Sequence, residues 1–336
     1  MPGAASATNA SRDDAVLKLE NVSIALSATR TTMVHSVSLS IDRGEIFGLA
    51  GESGSGKTLL MRTLFGLHDD AIIESGRMTF KGAEISSSGH RKRVRKLLGH
   101  EIGFVPQDPF SSLNPTMRIG KQIREALYLG KGISPKSGEA GKIALDLLDE
   151  VGISEPELAV DQFPDQFSGG MRQRIVIAIA LSQEPSILVA DEPTTALDAF
   201  TQRRIINLII ERSRTRNLTV ILISHNLELL RQNVDRIAVM YGGQLFNILD
   251  SGEISEGAAH PYTVALFNCI PRKDMTLGDI RSIPGEPLSA GYGLTGCAFS
   301  KRCGLRQDVC DSSLIPVNSA LARSFDACLV KAGRQA

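Results

Sequence analysis

The eight residues GESGSGKT (51–58) constrain this chain more than any other stretch. They follow the unbroken apolar run IFGLA (46–50) and open TLLMRTLFGL (58–67), whose apolar spacing is helical. A short continuous apolar run marks a strand buried on both faces of a parallel sheet. Strand, glycine-rich turn and helix in that order make a cradle for phosphate. Gly51, Ser53, Gly54, Ser55 and Gly56 let the backbone wrap closely enough for successive N–H groups to face an anion. The helix N-terminus adds partial positive charge. Lys57 is expected to reach the β- and γ-phosphates, and the Thr58 hydroxyl to sit on Mg²⁺.

A second motif completes that reading. SILVADEP (186–193) is an apolar run ending in Asp191 and Glu192. An aspartate at the carboxyl end of a central strand can hold Mg²⁺. Glu192, one residue on, is placed to polarise an attacking water as general base. Further strands are expected over 37–41, 186–190 and 218–223, the first alternating apolar and polar as a half-solvated strand does. Helical patterns cover 142–152 and 203–214, and IAVMYGGQLFNI (237–248) reads as a hairpin turning at Gly242 and Gly243. Alternating strands and helices predict a wound α/β sheet.

Composition narrows the partners. Lys+Arg and Asp+Glu are 37 each, so net charge does not suggest a nucleic-acid binder. The basic run HRKRVRK (90–96) reads as a solvated helix face, with a phosphate or lipid-headgroup contact as the alternative. Residues 1–15 lack the basic and apolar regions of a secretory signal and are expected to form a disordered tail. No apolar run approaches the ~18 residues that span a bilayer, so any membrane role is expected to come through partner chains. The character changes near residue 250, after which Gly, Pro, Ser and Cys dominate.

Between the two acidic and phosphate motifs lies QFSGGMRQR (166–174), where Ser168, Gly169 and Gly170 precede a helical run. Free N–H groups there would form a second anion site. A chain with one complete cradle has little use for another, which suggests that this one serves a second chain. FSGGMRQR resembles the signature of the ATP-binding-cassette (ABC) ATPases. GFVPQDP (103–109) carries Gln107 where that family has its Q-loop, TALDAF (195–200) resembles its D-loop with Asp198, and LISHN (222–226) matches its switch histidine with His225.

The resemblance implies an ABC nucleotide-binding domain over 16–250. Its expected parts are a RecA-like wound sheet, an antiparallel β subdomain and a helical subdomain at about 108–182. It implies ATP and Mg²⁺ as cofactors and a head-to-tail sandwich, in which the phosphate loop of one subunit and the signature of another close on one ATP. Gln107 would sense Mg²⁺ and the attacking water, His225 would contact the γ-phosphate, and Asp198 would link the paired sites. Two positions depart from the family pattern. Met171 replaces the usual glutamine of the signature, as in D-type subunits of dipeptide/oligopeptide permeases, and Leu26 replaces the aromatic residue that stacks on adenine.

The tail, 251–336, resembles the same branch through HPYTVALFNCIPR (260–272), SIPGEPLS (282–289) and GCAFSKRCGLRQDVC (296–310). Cys297, Cys303, Cys310 and Cys328 are spaced C-x5-C-x6-C-x17-C, without the tight C-x2-C pairs of common metal motifs. By their chemistry alone, four such thiols would suit a [4Fe–4S] cluster, Zn²⁺ or plain packing. The resemblance implies the iron–sulfur cluster, with a structural role in a small loop-rich extension, and Zn²⁺ as the alternative. Cys269 reads as packing.

The implied function is the ATPase subunit of a peptide or nickel-type importer, peripheral on the cytoplasmic face of the bacterial plasma membrane. Its implied partners are two permease subunits, a second ATPase subunit and, indirectly, an extracytoplasmic solute-binding protein. The alternatives are a soluble ABC ATPase outside transport, which this single cassette without heptad runs does not favour, and an importer of a non-peptide solute.

Overall fold

The computed structural model describes residues 14–86, 89–194, 198–253, 259–270, 282–313, 315–316, 318 and 322–332. The first half runs β1 (Ala15–Leu26), β2 (Thr32–Asp42), β3 (Ile46–Ala50), α1 (Lys57–Leu64), β4 (Ala71–Phe80), β5 (Ala83–Glu84), α2 (His90–Leu97) and β6 (Ile102–Val105). Four helices follow: α3 (Ile119–Lys131), α4 (Gly138–Glu150), α5 (Pro156–Ala159) and α6 (Gly169–Leu181). The core then closes with β7 (Ile187–Asp191), α7 (Ala199–Arg216), β8 (Thr219–Ile223), α8 (Leu227–Asn233), β9 (Arg236–Tyr241) and β10 (Gln244–Asp250). The extension adds α9 (Pro261–Asn268), α10 (Val309–Ser312), β11 (Phe325–Asp326) and α11 (Leu329–Ala332).

Two sheets organise these elements. β2, β1, β4 and β5 form an antiparallel sheet in that spatial order. The larger sheet has the order β11-β10-β9-β3-β8-β7-β6, parallel from β9 to β6 and antiparallel at β10 and β11. Every residue of β3, β7 and β8 is buried, as continuous apolar runs in a covered parallel sheet require. The apolar faces of α3, α4 and α6 bury Ile123, Leu127, Ala144, Leu148, Ile175 and Ile177 in the same core as β6 and β7. The hairpin at Gly242 and Gly243 is present, both glycines having positive φ.

Three expectations need comment. The predicted tail lies outside the described residues except for Asp14 and Ala15, and Ala15 already opens β1. Residues 37–41 form a strand but are not half-solvated, since all five are buried. Their polar positions are small serines with partners. The Ser38 hydroxyl accepts from Asn21 N–H at 2.8 Å and donates to Asn21 Oδ1 at 3.0 Å, while its carbonyl accepts from Asn318 of the extension. The basic run forms α2 with only Val94 buried, and Arg91 donates to the carbonyls of His68, Asp69 and Ala71.

A buried ion pair joins the two sheets. Arg236, 1% exposed, donates through Nε to Glu45 Oε1 at 2.6 Å and through Nη2 to Glu45 Oε2 at 2.8 Å. Nη2 also donates to the Ser40 carbonyl, Nη1 reaches the Arg323 carbonyl of the extension, and the guanidinium lies over the Phe47 ring. Glu45 in turn accepts the Asp42 N–H at 2.7 Å. Both charges are thus hydrogen-bonded as well as paired, the condition under which burying them is tolerated.

Strand β10 seats the extension. Asn247, fully buried, accepts from His260 N–H and from the Thr263 hydroxyl, and donates to the Phe325 carbonyl. His260 caps α9, its Nδ1 accepting from Tyr262 N–H at 3.1 Å, and its ring stacks on Phe246 at 4.2 Å. Burial pushes its pKa down to about 3, so it is neutral, and Nε2 faces Cys297 Sγ at 3.7 Å. Tyr241, Phe246, Tyr262 and Phe299 complete one aromatic cluster. The HPYT segment is therefore a docking device for the extension.

Candidate functional site

Strands β3, β8, β7 and β6 lie side by side, and each ends at a predicted motif. The phosphate loop follows β3, His225 follows β8, Asp191 and Glu192 end β7, and Gln107 follows β6. Parallel neighbours deliver four segments distant in sequence to one edge of the sheet, where α/β proteins bind ligands. One pocket is lined there by Ser53, Gly54, Ser55, Gly56, Lys57, Thr58, Gln107, Glu192 and His225. Met33 of the antiparallel sheet and Ser289 and Ala290 of the extension share it.

Loop geometry is set by glycine where nothing else fits. Gly51 has φ +147, and a Cβ there would lie 2.2 Å from the Met240 carbonyl oxygen. Lys57 folds back over the loop, donating to the carbonyls of Gly51 and Glu52 at 2.9 Å and to Ser55 Oγ at 3.1 Å. Burial pulls its pKa down, opposed by the charges of Glu192, Asp191 and Glu52.

Thr58 Oγ1 donates to Asp191 Oδ1 at 2.9 Å, and Arg62 Nε donates to Asp191 Oδ2 at 3.2 Å. Asp191 is fully buried, and that burial raises its pKa despite both partners. A hydroxyl beside a buried carboxylate is an oxygen donor set that fits Mg²⁺, which also relieves the desolvated charge. Thr58 and Asp191, with Gln107 at the same pocket, are the residues that would hold the ion, which would supply positive charge to offset nucleotide phosphates.

Glu192 sits between the other two predicted residues. Its Oε2 accepts from Gln107 Nε2 at 3.3 Å and lies 3.2 Å from His225 Nδ1. Its φ of +46 places it in the left-handed region, with its N–H donating to the Ile223 carbonyl of β8. Backbone strain of this kind is maintained only where surrounding structure over-determines it. Gln107 and His225 hold the carboxylate from two sides, and all three line the pocket.

The signature residues are elsewhere. Ser168 caps α6, its Oγ accepting from Met171 N–H at 3.3 Å, with Gly169 and Gly170 in the first turn. Among the described residues lining the pocket, none belongs to this segment. Asp198 caps α7 by accepting the N–H groups of Phe200 and Thr201, bonds that lower its pKa. It too stands outside the pocket and is exposed. Leu26 ends β1, half-buried against the core.

The four tail cysteines gather in space. Cys310 and Cys328 pack together with Val330 and Cys297, and Cys303 joins them in the electrostatic surroundings of Cys297. Burial pushes the Cys297 thiol up to about 12 and raises Cys303 and Cys328. Four thiols suit iron–sulfur or zinc chemistry as donors. Their arrangement does not meet the expectation of a metal site, because among the described residues no group of three or more His, Cys, Asp or Glu side chains is placed to hold an ion. Burial disfavours the thiolate at Cys297, Cys303 and Cys328, whereas a metal takes thiolates. Cys269, as expected, is a half-buried residue closing α9.

Residues not singled out in the sequence also reach the loop. The Tyr262 hydroxyl accepts the Glu52 N–H at 3.0 Å, and Arg302 pairs with the Glu52 carboxylate at 2.8 Å. HPYT marked Tyr262 as part of a motif, but nothing in its spacing pointed at the phosphate loop.

Parallel-sheet core, phosphate loop, paired acids, glutamine and histidine at one pocket, and a glycine-opened helix apart from it together define an ATP-binding-cassette ATPase. The ABC transporter family matches residues 34–195, and the oligopeptide/dipeptide transporter C-terminal region matches residues 248–310. The dipeptide transport ATP-binding protein DppD of Bacillus subtilis is 40% identical over 88% of this chain and 89% of its own. The oligopeptide transport ATP-binding protein AmiE of Streptococcus pneumoniae is 39% identical over 81% and 76%. A dimeric post-hydrolysis structure of the ATP-binding cassette MJ0796, bound to ADP and Pi, has 27% identity and a TM-score of 0.62, covering 71% of this chain and 100% of that one. The chain belongs to the family of dipeptide/oligopeptide transport ATP-binding proteins, and it is an ATPase.

Proposed function

We propose that this chain hydrolyses ATP to power import of peptides or a related small solute, as a peripheral subunit at the cytoplasmic face of a bacterial plasma membrane. Its partners are two membrane-spanning permease subunits and a second ATPase subunit of different sequence, with an extracytoplasmic binding protein delivering solute. One observation carries the paired state. The helix opened by Ser168, Gly169 and Gly170 presents free N–H groups away from the chain's own phosphate pocket. Those groups are an anion site for a nucleotide held by another subunit. Among the described residues no helix is long and apolar enough to cross a membrane.

Isolation of the native complex tests the reading. Two membrane-spanning chains and a second cassette are expected to co-purify, and peptide-loaded binding protein is expected to raise ATP turnover of the reconstituted complex. A chain that purifies alone, or whose turnover no solute-loaded binding protein changes, removes the import reading.

The four cysteines are the finer part of this proposal. The convergence of four cysteines in a small extension supports a [4Fe–4S] cluster, with Zn²⁺ as the alternative, although among the described residues no ready-made ligand group is in place for either. Anaerobically purified chain is expected to carry iron and acid-labile sulfide at cluster stoichiometry. Stoichiometric zinc would select the alternative, and absence of all three would leave buried thiols that only pack.

A further inference from the structure

The phosphate loop is held on one side by its own cassette. Ser55 accepts the Gly243 N–H through its carbonyl, and Lys57 spans the loop. On the other side it is held by the C-terminal extension, through three separate segments. Tyr262 accepts the Glu52 N–H. Ala290 N–H donates to the Gly54 carbonyl at 2.9 Å, and a Cβ on Gly54 would meet Ser289 Oγ at 3.2 Å. Arg302, its side chain only 6% exposed, grips the Glu52 carboxylate with Nη1 at 2.8 Å and Nη2 at 3.3 Å.

Arg302 uses its whole donor set. Besides Glu52, Nη1 donates to Tyr241 Oη at 3.0 Å, Nε to the Pro284 carbonyl at 2.8 Å and Nη2 to the Ile283 carbonyl at 3.2 Å. Those are five bonds from the five N–H groups a guanidinium owns. The planar fork is therefore fixed in the extension and presented to the loop as a rigid bidentate clamp. Glu52 needs it. A carboxylate inside a loop that must receive a polyphosphate repels its ligand unless a cation offsets it, and Glu52 is close enough to Lys57 to act on the ammonium electrostatically.

We propose that Arg302 is a positioning residue of the ATPase site, holding the phosphate loop in its anion-binding shape and cancelling the Glu52 charge, so that the C-terminal extension is part of the nucleotide site in cis. The inference rests on the ATPase assignment and not on the solute. It separates the loop-facing role of the extension from whatever the thiols do.

The test uses the full-length chain, a fluorescent ATP analogue for affinity, steady-state hydrolysis, and backbone hydrogen exchange across residues 51–58. Arg302→Ala is expected to weaken nucleotide affinity and raise KM for ATP about tenfold, the scale of losing a charge-assisted pair, with kcat changed far less. Exchange in the loop should quicken. Arg302→Lys, keeping the charge without the fork, should lie between Arg302→Ala and wild type. On a Glu52→Gln background, Arg302→Ala should cost at most about twofold more, because the two residues act as one unit. If Arg302→Ala fails to fold, Arg302→Lys and Glu52→Gln read the same clamp from its two ends. Wild-type affinity in these folded variants overturns the proposal. So does an equal loss from Arg302→Ala with and without Glu52, which marks general damage. A wild-type chain that bound no nucleotide would instead overturn the ATPase assignment beneath it.

Discussion

Glu192→Gln is expected to lower steady-state ATP turnover by ~100-fold or more, the range for losing a general base. ATP affinity should remain within about twofold of wild type, because the change removes an interaction made in the transition state and not in the ground state. The residue's setting explains why so small a change is so costly. Its carboxylate accepts from Gln107 and faces His225, so an amide keeps the size and part of the hydrogen bonding but no longer takes a proton from water. The loop and Lys57 lie beyond the intervening strand β8 and keep their own hydrogen bonds, although Lys57 loses the electrostatic influence of the Glu192 charge. Equilibrium binding and single-turnover hydrolysis on the same preparation separate the two quantities. Turnover within threefold of wild type would remove Glu192 from the base position.

The largest stability loss is expected on β9. Arg236→Met leaves Glu45 buried without its cation, and breaking such a pair from one side costs about 3–5 kcal/mol. Two carbonyls, those of Ser40 and Arg323, lose a donor at the same time. Urea unfolding should show the loss as a lower midpoint with an unchanged slope. Adding Glu45→Leu to Arg236→Met should cost less than the sum of the single changes by about 1 kcal/mol or more, since one substitution removes the charge that the other strands. Single variants within about 1 kcal/mol of wild type would show that this pair contributes little.

Much of the site was legible because its chemistry dictates residue type and local order. A loop that bends around phosphate needs glycine at Gly51, and a strand must precede it and a helix follow. Asp191 and Glu192 were legible because two adjacent acids end an otherwise apolar buried run, where a charge needs a ligand or partner. Parallel pairing then brings Gln107, Glu192 and His225 together, which a linear sequence states only through resemblance. Residues 37–41 were misjudged for a related reason. Alternation predicts one wet face, but serines are small and self-satisfying enough to be covered, and Asn318 of the extension supplies part of the cover. The contacts of Tyr262, Ala290 and Arg302 with the loop had no legible signal, because they come from three segments with no spacing in common. The cysteine spacing left open whether the thiols meet, because it lacks tight pairs; only the resemblance implied a shared site, and the fold brings the four together.

Arg302 reaches its loop partner across 250 residues of chain, and β11 pairs with β10 later still. Synthesis makes the phosphate loop 250 residues before its clamp. At about 5–20 residues per second the interval is roughly 12–50 s, during which the loop has emerged without the fork that offsets Glu52. On the proposed clamp role, a nascent cassette that has not yet made Arg302 is expected to bind ATP more weakly than the folded subunit.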